Sequence, residues 1–495
     1  MTEPDSFLWH DYETFGADVA RDRPAQFAAI RTNAALEEIE EPLQWYCQPS
    51  PDVLPHPDAV LLTGITPQLA QREGIPEYRF AENIHQAFMR PGTCGVGYNS
   101  IRFDDEVTRH LFYRNFFDPY QREWRGGNSR WDLIDVVRLW HALRPEGLHW
   151  PAREDGGGTS FKLEHLAAVN DLGDGNAHDA LSDVRTTIAL ARRLLAAQPR
   201  LFAHALKLRN KTFAHSLLAL EAMEPVLHVS SKISAKRGCL ALVVPVATHP
   251  TNNNCIITFD LDGDVDALLA GEVELLRERV FAKEADLPDG LARLPLKGVH
   301  LNKSPMLAPL STLTVEQAGR WGINVEYCRR QRDRLFEARE HLRVVARAIF
   351  EAPEHEEADA ELSLYAGFIP DRDRPLLEKV QHAAPESLWR YQDQFGDARL
   401  NTLLFRYRAR HWPGLLTDEE GRCWRQFVAR KLQFDTGLAS LTLETYRDWL
   451  AYRMAQATDT PQRGLLQKLF DWPVECGLEN LLKAAANDSD STEFD

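Results

Sequence analysis

Residues 7–16 read FLWHDYETFG, an aromatic and apolar run that carries Asp11 and Glu13 and ends at a glycine. In an extended strand successive side chains alternate between faces, so two carboxylates two residues apart point to the same side. Two more runs of strand character follow, AQFAAIRT (25–32) and PLQWYCQ (42–48), with polar residues at the turns between them. Helical spacing then takes over. Segments 81–89, 104–112, 131–143, 161–169 and 180–195 place apolar residues three and four apart. A strand hairpin with an added strand, followed by amphipathic helices, predicts an α/β domain whose first strand presents a pair of carboxylates.

At 495 residues the chain is too long for one hydrophobic core, and domain size suggests roughly three. With 44% hydrophobic and 26% charged residues, the composition is that of a folded globular protein. The apolar run CLALVVPVA (239–247) is interrupted by Pro245 and falls short of the roughly 18 residues a membrane helix needs. The acidic opening MTEPDSF lacks the basic region of a secretory signal, so a cytoplasmic protein with no membrane association is expected. Seven scattered cysteines (47, 94, 239, 255, 328, 423 and 476), none in a C-x-x-C pair, argue against a disulfide framework and a structural zinc site. The net charge of −16 opposes general attraction to phosphate. A nucleic-acid substrate therefore requires Lys and Arg gathered in one groove.

Past QPRLF (198–202) the pattern turns strand-rich, in VLHVSS, GCLALVVPVA and CIITFDL, which predicts a second, mainly β domain. An Arg-rich helical stretch (320–347) and an acidic linker-like stretch (351–362) close it. The remainder is Leu- and aromatic-rich at helical spacing. The expected division is 1–199, 200–353 and an all-α 354–484, with a disordered acidic tail at 485–495.

Two further motifs extend the carboxylate pair. In GYNSIRFDDEVTRHLF (97–112), Asp104 follows a turn and opens a helix; in NAHDALSDV (176–184), His178 stands five residues before Asp183 where a loop enters a helix, with Asp179 able to cap it. Three Asp, one Glu and one His are what two-metal phosphoryl hydrolysis uses: hard oxygen ligands hold two Mg²⁺ or Mn²⁺ ions about 4 Å apart. An imidazole with an ordinary pKa near 6.5 is suited to take the proton of the attacking water, a role that falls to His178. Any one of the 73 acidic residues, taken singly, reads as solvated surface; the joint pattern is what carries information.

The order D-x-E in the first strand, F-D-D after a glycine turn and H-x-x-x-x-D at a last helix resembles the DEDDh exonucleases of the ribonuclease H-like fold. Longer stretches are similar to the bacterial exonuclease I family: residues 7–32, LLTGITP (61–67), 97–120, 128–147, SFKLEHL (160–166), HLNKSP (300–305) and LLFRYRARHWPG (403–414). The resemblance implies an α/β ribonuclease H-like exonuclease domain, an SH3-like β domain and an all-α C-terminal domain around a positive, C-shaped channel. It implies a monomeric, processive 3′→5′ exonuclease that degrades single-stranded DNA to 5′-mononucleotides in DNA repair and recombination. Asp11, Glu13, Asp104 and Asp183 would be the metal carboxylates, with Glu13 and His178 catalytic and Mg²⁺ the usual ion. DNA-contacting positions carried over by motif are Thr14, Thr63, Arg109, Tyr120, Trp124, Arg138, Lys162, Asn254, Lys297, Asn302 and Lys303. Lys162 stands where the family carries Arg, which keeps the charge and loses bidentate phosphate contact.

The family also implies docking of the acidic C-terminal tail of single-stranded DNA-binding protein. Arg144 and the 320–347 stretch would supply the cations, and Pro309 and Thr314 stand where family docking residues are polar or basic. Two other functions share parts of the pattern. An exoribonuclease uses the same metal chemistry, since carboxylates cannot sense a 2′-hydroxyl, but the long extension after residue 199 favours DNA. A catalytically silent DNA-binding subunit predicts a lost acid or histidine, and all five are present.

Overall fold

The computed structural model describes residues 4–173, 179–288, 290–351 and 358–490. The N-terminal sheet is five-stranded, in the order β3-β2-β1-β4-β5. Its strands are β1 (Ser6–Thr14), β2 (Pro24–Thr32), β3 (Leu43–Tyr46), β4 (Thr93–Gly97) and β5 (Ser129–Asp132). The β1–β2–β3 portion is antiparallel, whereas β4 runs parallel to β1 and β5 parallel to β4. The carboxylate-bearing strand is therefore central, with Asp11 opposite Ala28 and Glu13 opposite Gln26. The ladder slips between Glu13 and Thr14, where the chain leaves the sheet.

Helices α1 (Pro57–Thr63), α2 (Pro67–Glu73), α3 (Glu77–Phe88), α4 (Asp104–Arg114), α5 (Leu133–Leu143), α6 (Leu163–Asn170) and α7 (Ala180–Ala197) complete this part. The helix expected over 131–143 begins two residues later, because Trp131 and Asp132 pair in β5 and Asp132 caps α5 by accepting from the Ile134 N–H. β4 and β5 give no alternating signal since every residue in both is buried. Gly97 permits the close packing of β4: a Cβ there would lie 2.9 Å from the His10 carbonyl oxygen and 2.7 Å from the Ser100 Cβ.

The second part contains α8 (Pro199–Lys207), α9 (Lys211–Leu217), β6 (Val226–Val229), β7 (Leu240–Thr248), β8 (Cys255–Asp260), α10 (Val265–Ala270), α11 (Val273–Phe281), β9 (Leu296–His300), β10 (Met306–Pro309), α12 (Val315–Arg320), α13 (Val325–Glu337) and α14 (Arg339–Ile349). Its five strands form one antiparallel sheet in the order β10-β6-β7-β8-β9. The register of β7 on β8 shifts between Pro245 and Ala247, since proline cannot donate to the ladder.

The third part is helical: α15 (Arg374–His382), α16 (Ala398–His411), α17 (Asp418–Gln433), α18 (Leu443–Gln456), α19 (Thr460–Glu475) and α20 (Leu478–Asp490). The tail expected to be disordered from residue 485 is helical as far as Asp490. Leu482 and Ala485 are buried and Arg425 pairs with Asp488 at 2.7 Å, which holds α20 against α17.

Apolar cores cross both seams. One runs from Trp9, Trp131 and Trp140 into Leu227, Leu242 and Leu342, and another joins Tyr113 of α4 and Phe116 just beyond it to Leu400 and Tyr407 of α16. A buried charge network also ties the first and third parts: Asp52 pairs with Arg410 and Lys431 at 2.8 Å each, and Glu361 pairs with Arg23 at 3.0 Å and with Arg410. Continuous apolar seams and buried, paired charges of this kind disfavour free relative motion of the parts.

Candidate metal and nucleic-acid site

Asp11 and Glu13 project from the same face of β1, and α7 packs on that strand with Asp183 in its first turn. Carboxylate oxygens of Asp11, Glu13 and Asp183 lie within 4.8 Å of one another. Asp179 caps α7, its carboxylate accepting from the Ser182 N–H at 3.1 Å. Asp104 opens α4 and is buried; its Oδ1 accepts the Tyr12 N–H at 3.0 Å, which anchors it against β1 beside the trio rather than inside it. His178 lies outside the described residues.

Buried acids in mutual view resist ionisation. Burial, followed by Asp104, Glu13 and Asp183, holds Asp11 well above the usual carboxylate range. Burial and then Asp183 and Asp104 push Glu13 up to about 8. Asp104 is raised to about 8 by burial and by Asp105, against the opposing Tyr12 hydrogen bond. An all-oxygen, anionic donor set crowded in this way fits hard divalent cations, whose charge would relieve the repulsion.

A pH dependence follows. Glu13 and Asp104 have folded pKa values near 8, above those of the unfolded chain, so the native state holds protons that the unfolded state releases. Their contribution to stability is complete below about pH 4 and is lost as pH rises through about 8. Without metal, thermal stability attributable to these groups should fall across that window. Saturating Mg²⁺ should flatten the fall, because the cation replaces the protons. Calorimetric melting with and without Mg²⁺ checks this, and an identical pH slope in the two conditions would contradict it.

The chain matches three family models in order: Exonuclease over residues 8–191, Exonuclease I SH3-like domain over 209–352 and Exonuclease I C-terminal domain over 358–476. Exodeoxyribonuclease I of Escherichia coli (strain K12) is 45% identical over 475 residues, covering 95% of this chain and 98% of that relative. The chain belongs to the exonuclease I family. The Haemophilus influenzae exodeoxyribonuclease I is 40% identical over 484 residues, with 96% and 99% coverage. Among solved structures, the moderately thermophilic exonuclease I of Methylocaldum szegediense superposes with a TM-score of 0.90 at 46% identity, covering 95% of this chain and 99% of that one. E. coli exonuclease I in complex with a dA16 oligonucleotide gives 0.90 at 44% identity, with 95% and 100% coverage. The zinc-bound form of an E. coli exonuclease I–single-stranded DNA complex gives 0.89 at 44%, with 96% and 99% coverage. As a member of this family the chain is an exonuclease, a hydrolase of phosphodiester bonds.

In this exonuclease I family member, the positions expected to contact DNA fall into two groups. Thr14 ends β1, its hydroxyl donating to the Gly16 carbonyl at 2.6 Å. Thr63 ends α1 before Gly64, a left-handed cap at φ 71°, and its hydroxyl accepts the Ile65 N–H at 3.1 Å. Trp124 is 62% exposed, and Lys162 is exposed ahead of α6 with its ammonium 3.2 Å from Glu164. Lys162 and Arg138 line a cleft of about 720 Å³ between the first two parts, which Lys232 also borders.

The second group is already engaged. Arg109 is buried; it forks onto Glu123 at 2.8 and 2.9 Å, meets Glu106 at 2.8 Å and the Tyr365 hydroxyl at 3.0 Å, and lies over the Tyr120 ring at 5.2 Å. Its role in these contacts is to hold α4, Glu123 and the C-terminal part together. Arg138 pairs with Asp135 at 2.5 Å, and Lys297 donates to Ser230 at 2.5 Å, burial lowering that ammonium to about 8. Asn254 accepts from Lys211 at 2.9 Å; the Asn302 carbonyl accepts from Arg130, and burial lowers Lys303.

Arg144 follows α5 as its C-terminal cap and donates to the Thr312 carbonyl at 3.3 Å. Along the basic helices, Arg329 pairs with Glu326 at 2.9 Å, Arg343 with Glu221 at 3.0 Å and Arg334 with Asp266. Sequence reasoning missed Glu106, Glu123, Asp105 and Tyr365 as the surroundings of α4. The F-D-D motif marks Asp105 as a neighbour, but no local pattern brings residue 365 to residue 106.

Proposed function

We propose that the chain removes 5′-mononucleotides successively from the 3′ end of single-stranded DNA by two-metal-ion hydrolysis, with Mg²⁺ as the working cation. The convergence of Asp11, Glu13 and Asp183 within 4.8 Å carries this reading, together with the three family models in their order. Asp11, Glu13, Asp104 and Asp183 would hold the cations. Cations bound there supply positive charge that stabilises the attacking and departing oxygens of an in-line displacement. The chain's own groups do the rest. Glu13 orients the scissile phosphate and its water, and His178 takes the proton of the attacking water. Thr14 and Thr63 fit contacts to the terminal nucleotide. Lys162, Lys297 and Lys303 neutralise phosphates, with Arg138, paired to Asp135, bordering the same cleft, while Tyr120 and Trp124 offer faces for stacking, at about 1–3 kcal/mol per base; Asn254 and Asn302 add polar contacts and Arg109 supports them from within. Exonuclease I proteins bound to single-stranded oligonucleotides support this assignment of substrate. A cytoplasmic, monomeric enzyme of DNA repair and recombination is the corresponding cellular reading.

End-labelled oligonucleotides test it. A single strand with a free 3′-hydroxyl should be shortened from that end, while a blunt duplex and the matched RNA resist. Equal rates on single and duplex DNA would refute a one-strand path, and equal rates on RNA would return the exoribonuclease reading. Binding without turnover should weaken steeply with salt, as several phosphates are neutralised together.

The same reading includes docking of the acidic tail of single-stranded DNA-binding protein near Arg144 and Arg320. What supports it is that Arg144 reaches the Thr312 carbonyl and Gln317 of α12, the helix that opens at exposed apolar Val315 and closes at Arg320, on a chain whose net charge of −16 repels such a tail elsewhere. A fluorescent peptide with an acidic-Pro-Phe end should bind, weaken as salt rises and weaken further on Arg144→Ala. Absence of binding at low salt would remove the partner.

A further inference from the structure

Arg130 occupies the second position of β5 and is 4% exposed, so a charge there must be answered by protein groups. Its Nη1 meets the Asp105 carboxylate at 3.0 Å and its Nε approaches Glu123 at 3.3 Å. Its Nη2 donates to the Asn302 carbonyl at 3.1 Å, in the loop of the SH3-like domain between β9 and β10. The same loop returns the contact: the Ser304 hydroxyl donates to the Arg130 carbonyl at 3.0 Å, and Ser304 holds a left-handed φ of 45°. One buried residue of the exonuclease domain is thus fastened at its guanidinium and at its backbone to the loop carrying Asn302 and Lys303.

Asp105 gives that fastening a direction. Helix α4 has no side-chain cap, since Phe103 precedes it. Its first turn is fixed instead by Asp105, which pairs with Arg122 at 2.6 Å and Arg130 at 3.0 Å and faces His10 at 3.9 Å. Asp104 is the adjacent residue, its carboxylate held 3.0 Å from the Tyr12 N–H. Loss of the Arg130 contact would leave Asp105 buried with Arg122 as its remaining guanidinium partner and loosen the turn that aims Asp104.

We propose that Arg130 is a positioning residue for the reaction: it ties the Asn302–Lys303 loop of the SH3-like domain to the first turn of α4 and so sets where Asp104 stands in the metal site. The proposal rests on the reading of Asp104 as a metal carboxylate. Outer groups that orient metal-binding side chains act by raising metal affinity, and their loss costs about 10–100-fold in affinity or activity.

The test uses the full chain, with Mn²⁺ as the probe ion. Mn²⁺ binding without DNA is followed by electron paramagnetic resonance, and kcat and KM are measured on a single-stranded oligodeoxythymidine across a range of Mn²⁺. Arg130→Gln should weaken Mn²⁺ binding by about 10–100-fold and lower kcat at limiting metal, the rate recovering as Mn²⁺ is raised, whatever rise in KM accompanies release of the Asn302–Lys303 loop. Arg130→Lys, which can still reach Asp105, should recover part of the affinity. Ser304→Ala removes no charge and should shift Mn²⁺ binding in the same direction by a smaller factor, which keeps the test decisive if Arg130→Gln fails to fold. Wild-type Mn²⁺ affinity in folded Arg130→Gln, or in Ser304→Ala when the former does not fold, overturns the proposal, as does a change confined to KM. Asp104→Asn is the reference: if it binds Mn²⁺ and turns over like the wild type, the metal reading of Asp104 fails, and the fault is then not in Arg130.

Discussion

Replacing Asp11 or Asp183 with alanine lowers nucleotide release from a single-stranded oligonucleotide by about three orders of magnitude or more, because metal charge stabilisation is worth several kcal/mol and each 1.36 kcal/mol is a factor of ten. The fold should survive. Burial and then the neighbouring carboxylates hold Asp11 well above the usual range, so its removal relieves an unfavourable desolvation and crowding of acids, and the variant should melt at or above the temperature of the metal-free wild type. Loss of activity accompanied by equal or greater stability is the signature of a group retained for chemistry. Binding of single-stranded DNA in the absence of metal should remain. Steady-state digestion, calorimetry and fluorescence anisotropy read the three quantities. Substantial Mg²⁺-dependent turnover in Asp11→Ala would sink the assignment.

The chemistry was legible because it depends on short-range periodicity. The alternation in FLWHDYETFG places Asp11 and Glu13 on one face whatever the rest of the chain does, and Asp104 in the first position of its helix and the Asp179 cap mark where helices begin. The parallel strands were not legible. TCGVG and SRWD are short and wholly buried, so neither shows the alternation that identifies a half-exposed strand. Strands β9 and β10 lie among polar and proline-rich segments and gain their identity only by pairing with β8 and β6. The largest gap concerns the cations. Sequence position says that Arg109 and Arg138 lie near the site; it does not say that Glu123, Glu106 and Asp135 answer their charges, since those pairings depend on tertiary contacts.

The general base gives the second large effect. His178→Ala should lower kcat by about 10²–10⁴-fold, the range that positioned proton transfer contributes, while leaving metal and DNA binding near wild type. The pH profile separates this role from a structural one. A general base must be neutral to work, so at saturating Mg²⁺ the wild-type rate should climb with pH through the titration of an imidazole, ordinarily near 6.5. Metal saturation matters: without it Glu13 and Asp104, both raised to about 8, would add a second climb as protons leave the carboxylates. In His178→Ala the limb near 6.5 should vanish, leaving a slow rate that follows hydroxide, and added imidazole should restore part of the lost rate. A variant that keeps wild-type turnover, or keeps the same acidic limb at a reduced rate, would move the proton-accepting role to another group.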